Sequence, residues 1–273
     1  MSAALISVVV LCKNEEQRIA RCVSSLDFAD RVVIVDSYSS DATRAECFRA
    51  WQSTGRSLAD IVFVQALWRG FTKARNNSLD WVSTQWVLWV DADEWVSPNL
   101  RAEIRALLSQ NPKEPQVYKI PRQSFFLGRA IKFGGWYPDR KARLARAANC
   151  LWKPGPNSAD VHEDLWPQPE NERPSLKSDL YHEPFIDESE QLETNRRYSD
   201  LLAQGAAQKY RDSGSRPPSE VFILLKVAVK FVENYFWKLG VLDGRAGWII
   251  AKGSAHSLYL RLRRIRELLS SSA

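Results

Sequence analysis

Short apolar runs rich in β-branched residues recur at 5–11, 31–35, 61–64 and 86–90, and after each of the first three a polar stretch leads into helically spaced apolar residues. Runs that stay apolar without alternating are strands buried on both faces, and strands that alternate with helices build a mostly parallel sheet covered on both sides. The spacing predicts helices through Ile19, Cys22, Val23 and Leu26, over 42–51 and over 73–82, the second capped by the Ser- and Asp-rich turn 36–43. This α/β arrangement says where chemistry belongs. Ligands bind beyond the carboxyl ends of such strands, and three polar clusters fall there: Lys13-Asn14-Glu15, Asp36-Ser37 and Asp91-Ala92-Asp93. No glycine-rich phosphate loop of the Walker or dinucleotide type follows any strand, which argues against an ordinary kinase or dehydrogenase.

Asp91 and Asp93 emerge together where the run 86–90 stops. Magnesium and manganese favour oxygen ligands and are usually shared between one or two carboxylates and substrate phosphates, so a nucleotide diphosphate is the natural third party. Taken alone, Asp-x-Asp is equally the signature of a solvated turn, and its place after a strand is what favours the metal. Lys73 and Arg75 suit a diphosphate, with an exposed helix face as the alternative. Asn14 and Glu15 either contact the nucleotide or sit in a solvated loop. Asp36 either contacts the nucleotide or caps the turn before the next helix.

The 273 residues, 45% hydrophobic and 26% charged, are those of an ordinary globular protein rather than a disordered one. Lys and Arg exceed Asp and Glu by 38 to 32, which suits an anionic partner, yet no concentrated basic and aromatic motif marks nucleic acid. Cys12, Cys22, Cys47 and Cys150 lack metal spacing and read as reduced structural thiols of a cytosolic compartment. The N-terminal residues show no basic leader with an apolar stretch, and no run approaches the roughly 20 apolar residues of a spanning helix. Beyond about residue 115 the pattern turns to mixed strands at 117–126, 130–136 and 143–146, and from Glu188 to helices broken by a turn at 213–218.

Four ordered motifs together resemble glycosyltransferase family 2: Ser7-Val8-Val9-Val10-Leu11-Cys12-Lys13-Asn14-Glu15-Glu16; Val33-Ile34-Val35-Asp36-Ser37-Tyr38-Ser39-Ser40-Asp41-Ala42-Thr43; Gly70-Phe71-Thr72-Lys73-Ala74-Arg75-Asn76; and Val90-Asp91-Ala92-Asp93-Glu94-Trp95. Gly134-Gly135-Trp136-Tyr137-Pro138-Asp139, Val161-His162-Glu163 and Leu242-Asp243-Gly244 extend it to the branch of bacterial lipopolysaccharide core glucosyltransferases. Tyr38 and Ala42 depart from the family, which often carries glycine there. The resemblance implies a GT-A fold, with a catalytic domain over 1–186 (a nucleotide-sugar half 1–114 and an acceptor half 115–186) and a helical extension over 187–273. It implies inverting transfer of a hexose, glucose first, from a nucleotide diphosphate sugar, uridine first, to a lipopolysaccharide core or related glycan. A polyprenyl phosphate or protein acceptor, and a non-catalytic nucleotide-sugar-binding adaptor, are the alternatives.

On this reading Asp36 meets the base or ribose and Asp91 and Asp93 hold Mg2+ or Mn2+, with His162 a further ligand or an ordinary structural histidine. The base that takes the acceptor proton is Glu163, with Asp139 second, although Glu163 lies among Asp160, His162 and Asp164 in what could equally be a solvated loop. His182-Glu183 is read as structural. Trp136 and Tyr137 either stack on a sugar or pack in the core. Segment 221–237 and the stripe Leu258, Leu262, Ile265, Leu269, ringed by Arg261, Arg263, Arg264 and Arg266, are basic and amphipathic. They would hold the protein peripherally at the inner face of the cytoplasmic membrane or pack on the rest of the chain.

Overall fold

A computed structural model describes residues 5–114, 116–154 and 163–270. The strands are β1 (Ile6–Cys12), β2 (Arg31–Asp36), β3 (Ile61–Gln65), β4 (Trp86–Asp91), β5 (Glu94–Val96), β6 (Val117–Phe126), β7 (Arg129–Ala130), β8 (Asp139–Arg146), β9 (Leu151–Pro154), β10 (Glu163–Trp166) and β11 (Leu180–His182). The helices are α1 (Ile19–Ser24), α2 (Thr43–Ser53), α3 (Phe71–Ser78), α4 (Pro98–Gln110), α5 (Glu188–Asp212), α6 (Glu220–Val232) and α7 (Gly244–Ser270). Of the segment 130–136, expected as a strand, only Ala130 belongs to β7: past the Ile131 N–H, which bonds Ser124, the N–H groups of Lys132 and Phe133 turn to Asp243, and Gly134 and Gly135 then take positive φ. Two units make up the chain, residues 1–122 with 139–182 and residues 123–138 with 183–273.

In the first unit the order β3-β2-β1-β4 is parallel throughout, and β8, antiparallel to β4, continues the sheet toward β6, β11 and β5. Alternate residues explain why the apolar runs do not alternate. Val8, Val10, Ile34, Trp86 and Leu88 face one layer with Cys22 and Val23 of α1, Trp51 of α2 and Leu100 and Ile104 of α4. Val9, Val33, Val87 and Trp89 face the other, where Trp152 of β9 and Leu165 of β10 cover them. Trp89 and Trp152 meet edge to face with ring centroids 5.2 Å apart, and each buried large side chain of this kind stabilises by roughly 1.5–3 kcal/mol. Asn76 of α3 pins that cover by bonding Trp152 through both its amide nitrogen and oxygen, at 2.9 and 2.8 Å. All four cysteines are buried and free, and burial pushes the Cys150 thiol up to about 11 and the Cys47 thiol up to about 12.

In the second unit the stripe of α7 is not an open face: Leu262 and Ile265 are buried with Ala203 of α5 and Ile223 of α6, and Leu258 and Leu269 pack against them. Trp136 packs with Phe126, Ile131, Phe185, Ala246 and Ile250. The late motifs meet here. Asp243, buried, accepts the backbone N–H groups of Lys132 and Phe133 at 3.2 and 2.9 Å, and the N–H of Gly134 reaches the Lys238 carbonyl at 2.8 Å. The start of α7 passes so close to the preceding turn that a Cβ on Gly247 would lie 1.8 Å from the Gly240 carbonyl oxygen. Backbone cannot yield as a flexible side chain can, so Gly247→Ala is expected to lower stability by about 3 kcal/mol, the upper end for overpacking. A thermal melt unchanged by Gly247→Ala would contradict this close approach.

Candidate active site

The strand register carries three carboxyl ends to one rim. Cys12 of β1 pairs with Asp36 of β2, Asp36 with Gln65 of β3, and Leu11 with Asp91 of β4. Strands lie about 4.8 Å apart, so Asp36 and Asp91 stand about two strand spacings from one another on either side of β1.

At the Asp36 end two loops are stitched together. Asp36, 1% exposed, accepts the Ser39 N–H at 3.0 Å, the Ser39 hydroxyl and the Gln65 amide at 3.2 Å. Asn14 accepts the Ser40 N–H at 2.9 Å, and the Glu15 N–H reaches the Thr43 hydroxyl at 2.7 Å. The Asp36 carboxylate thus shapes the turn without bonding α2, whose first N–H, that of Thr43, is accepted by Asp41 at 3.0 Å. Tyr38, where the family often has glycine, holds φ +58, a left-handed conformation costly for a bulky residue, whereas Ala42 at φ −79 is unstrained. Ser37, Ala66, Leu67 and Asn77 help line a shallow cleft beside this turn.

At the Asp91 end the side chains form one ionic network. Arg143 of β8 grips both oxygens of Asp91, at 3.3 Å on one and a shorter contact on the other. Arg75 of α3 bonds Asp91 at 3.1 Å and also pairs with Glu163, which brings the favoured base to the aspartate through a shared guanidinium. Glu94, 0% exposed, accepts the Asp91 N–H at 2.9 Å, Arg143 at 2.9 Å and Arg122 of β6 at 3.0 Å. Arg122 also holds Asp139 at 2.6 Å, and Lys141 holds it at 3.1 Å. Burial by itself would raise the Asp91 carboxyl, but Arg143 and then Arg75 overcome it and hold the group well below the usual carboxylate range. Asp139 is likewise lowered, burial being outweighed by Arg122 and Lys141. Arg75 and Arg143 are both buried, and each has an Nε donor with no partner among the described residues.

Buried ion pairs are weak sources of stability, because apolar residues of equal volume often do as well. Three buried or half-buried guanidiniums at the carboxyl rim of the sheet therefore make this network the candidate site. Sequence reasoning included Arg75 and missed Arg122, Arg143 and Glu94. His182, read from the sequence as structural, lies on β11 beside β5 opposite Glu94, with its Nε2 3.4 Å from an Asp93 oxygen. Lys73 lies exposed on α3, and His162 falls outside the described residues. Among the described residues no three His, Cys, Asp or Glu side chains form a metal cluster. The donor chemistry nonetheless fits a divalent ion, since Mg2+ and Mn2+ commonly take one or two carboxylates and complete their shell with water and phosphates. Charge points the same way: the network balances Asp91, Glu94, Asp139 and Glu163 against Arg75, Arg122, Arg143 and Lys141, so Asp93 beside it is a carboxylate in excess. A diphosphate entering that surplus of carboxylate is better received with a cation.

A carboxyl lowered in the folded state adds stability that is complete above its unfolded pKa, about 3.9 for Asp, and is lost as pH falls toward its folded value. Urea midpoints should therefore drop on acidification below about pH 4, and Asp91→Asn should flatten that limb while costing about 3 kcal/mol at neutral pH. An unchanged acid limb in that variant would contradict the network. Glu94→Gln must turn an amide N–H toward Arg122, Arg143 or the Asp91 N–H, so a loss of about 3 kcal/mol is expected in the same measurement, and a loss under about 0.5 kcal/mol would show that Glu94 is not the joint between them.

Residues 7–158 match the family described as Glycosyl transferase family 2. Over 263 residues the chain is 27% identical to the lipopolysaccharide core biosynthesis glycosyltransferase LpsC of Rhizobium meliloti (strain 1021), covering 94% of this chain and 92% of LpsC. It is 26% identical over 275 residues to an uncharacterized glycosyltransferase of Rickettsia bellii (strain RML369-C), covering 96% and 86%. Among solved structures, S. aureus TarS 1-349 in complex with UDP-GlcNAc is similar at 17% identity and a TM-score of 0.46, covering 98% of this chain and 91% of that one. The chain belongs to glycosyl transferase family 2 and is a glycosyltransferase whose mixed α/β part carries a helical C-terminal extension.

Proposed function

We propose that the protein is an inverting, metal-dependent transferase that moves a hexose, glucose first, from a uridine diphosphate sugar to a lipopolysaccharide core or related cell-envelope glycan at the inner face of the cytoplasmic membrane. The observation that carries this reading is the single network joining Asp91, Arg75 and Glu163 at the carboxyl rim of the sheet. Likeness to LpsC over nearly the whole of both chains supports the acceptor class.

The nucleoside is received at the Asp36 end, where the loops carrying Asn14, Glu15 and Asp36 hold one another, and the diphosphate lies toward Arg75 and Arg143, with Lys73 able to reach it. Asp93 and His182, with Asp91 adjoining, would hold a divalent ion, which when bound would supply Lewis-acid neutralisation of the leaving diphosphate. The two arginines add fixed positive charge where negative charge grows as the sugar–phosphate bond breaks, and in a site closed to water such charge acts strongly. A diphosphate that takes up the Arg75 guanidinium loosens its hold on Glu163. The freed carboxylate then accepts the proton of the acceptor hydroxyl as that oxygen attacks the anomeric carbon opposite the leaving group, which inverts the configuration. Asp139 is the second candidate for that proton, held until then by Arg122 and Lys141.

Release of nucleoside diphosphate from a panel of nucleotide sugars, with manganese or a chelator, tests the reading. Release from one uridine donor is expected to need metal and to fall at least a hundredfold in Asp93→Ala and in Glu163→Gln, corresponding to about 2.7 kcal/mol of transition-state stabilisation. Equal release by native protein and Asp93→Ala would contradict the assigned roles, and preference for a donor other than uridine would contradict the nucleotide.

A further inference from the structure

The second unit leaves one broad apolar face uncovered. On α6 only Ile223 is buried, while Val221, Leu225, Val229, Val232 and Phe236 recur at near-helical spacing with exposures of 77, 62, 55, 49 and 57%. At 1.5 Å per residue the stripe runs about 23 Å. It continues into the π-helical turn Glu233–Trp237 and the residues after it, where Trp237 is 85% exposed and Leu242 59%. Folded proteins that work alone in water rarely leave contiguous apolar patches of this extent open.

The charge around the patch says what covers it. Between residues 221 and 245 the chain carries Lys226, Lys230, Lys238 and Arg245 against only Glu233 and Asp243. Asp243 is turned inward onto the backbone N–H groups of Lys132 and Phe133, and Glu233 is bridged by Lys230 at 3.3 Å and Lys238 at 2.6 Å. Among carboxylates outside that span, Glu188 holds Arg245 at 3.0 Å and Glu220 is held by Arg263 and Arg266 at 2.9 and 2.7 Å. The border is left cationic by Lys226 and by two lysines that share the single Glu233, and a second copy of the same face would offer it no unengaged acid nearby. Tryptophan and phenylalanine beside lysines is the make-up of elements that lie in a membrane interface, where anionic headgroups take the cations and acyl chains take the stripe. Among the described residues no helix is long and apolar enough to cross a membrane.

We infer that the exposed face of α6 and the turn through Trp237 is a docking surface for an anionic phospholipid bilayer. The inference deepens the proposed function, resting on its lipid-borne acceptor, and places the contact on α6 rather than on α7, whose stripe is consumed by packing.

Flotation with acceptor-free vesicles keeps this claim separate from turnover, because nucleotide-sugar release can succeed or fail independently. The native protein is expected to float with vesicles rich in phosphatidylglycerol, not with pure phosphatidylcholine, and to be released by salt. Leu225→Glu combined with Trp237→Glu, both at exposed positions, is expected to reduce flotation at least tenfold with donor turnover and melting temperature unchanged. Should that variant fold poorly, quenching by brominated lipid reads the contact directly, with less quenching expected in Trp237→Phe than in the native protein. No flotation of the native protein, equal flotation of the variant, equal quenching with and without Trp237, or a solution dimer that the double substitution splits would each overturn the inference.

Discussion

The grip of Arg143 on Asp91, with Glu94 buried behind both, is the interaction around which the rest of the site is arranged. Asp91 ends a fully buried strand, so its carboxylate leaves the core at a fixed point, and Glu94 ties its backbone N–H while anchoring Arg143 and Arg122. Arg75 then links Asp91 to Glu163, and Arg122 links Glu94 to Asp139. Remove the buried carboxylate at the joint and Arg122 and Arg143 lose the acceptor they share, keeping only Asp139 and Asp91 respectively. A network of this kind has a second property that suits group transfer: each carboxylate is held by a cation that a phosphate can also take.

Strands β1, β2 and β4 were legible from the sequence because they are buried on both faces, which leaves an unbroken apolar run with a polar residue near its end, as in Trp86 to Val90 before Asp91. The turns after them were legible through Asn14, Asp36 and Asp91, residue types that stop strands. What could not be read was pairing across long sequence separations. Arg122 and Arg143 look like ordinary surface arginines in mixed strands, and only the antiparallel placement of β8 and β6 carries them to Asp91 and Glu94. His182 had a signal, a histidine ending the short strand-like stretch Leu180-Tyr181, but its partner Asp93 lies at a turn that only the pairing of β11 with β5 brings near.

The helical extension shows the same limit in another form. Periodicity identifies an apolar face on α6 and another on α7 without saying which is covered. In the folded unit the α7 stripe is filled by Ala203 and Ile223, and the larger part of α6 is not. The motifs Gly134-Gly135 and Leu242-Asp243-Gly244, more than a hundred residues apart, meet because Asp243 supplies the acceptors that the turn at Lys132 and Phe133 lacks. Backbone satisfaction and close approach account for their pattern.

The most direct test of the account is transfer of an isotopically labelled sugar from a uridine diphosphate donor to core glycolipid, with the anomeric configuration of the product read by NMR. The account predicts a labelled glycolipid whose new linkage is inverted relative to the donor, formed by the native protein and not by Glu163→Gln. A product of retained configuration, or full transfer by Glu163→Gln and by Asp139→Asn alike, would contradict it.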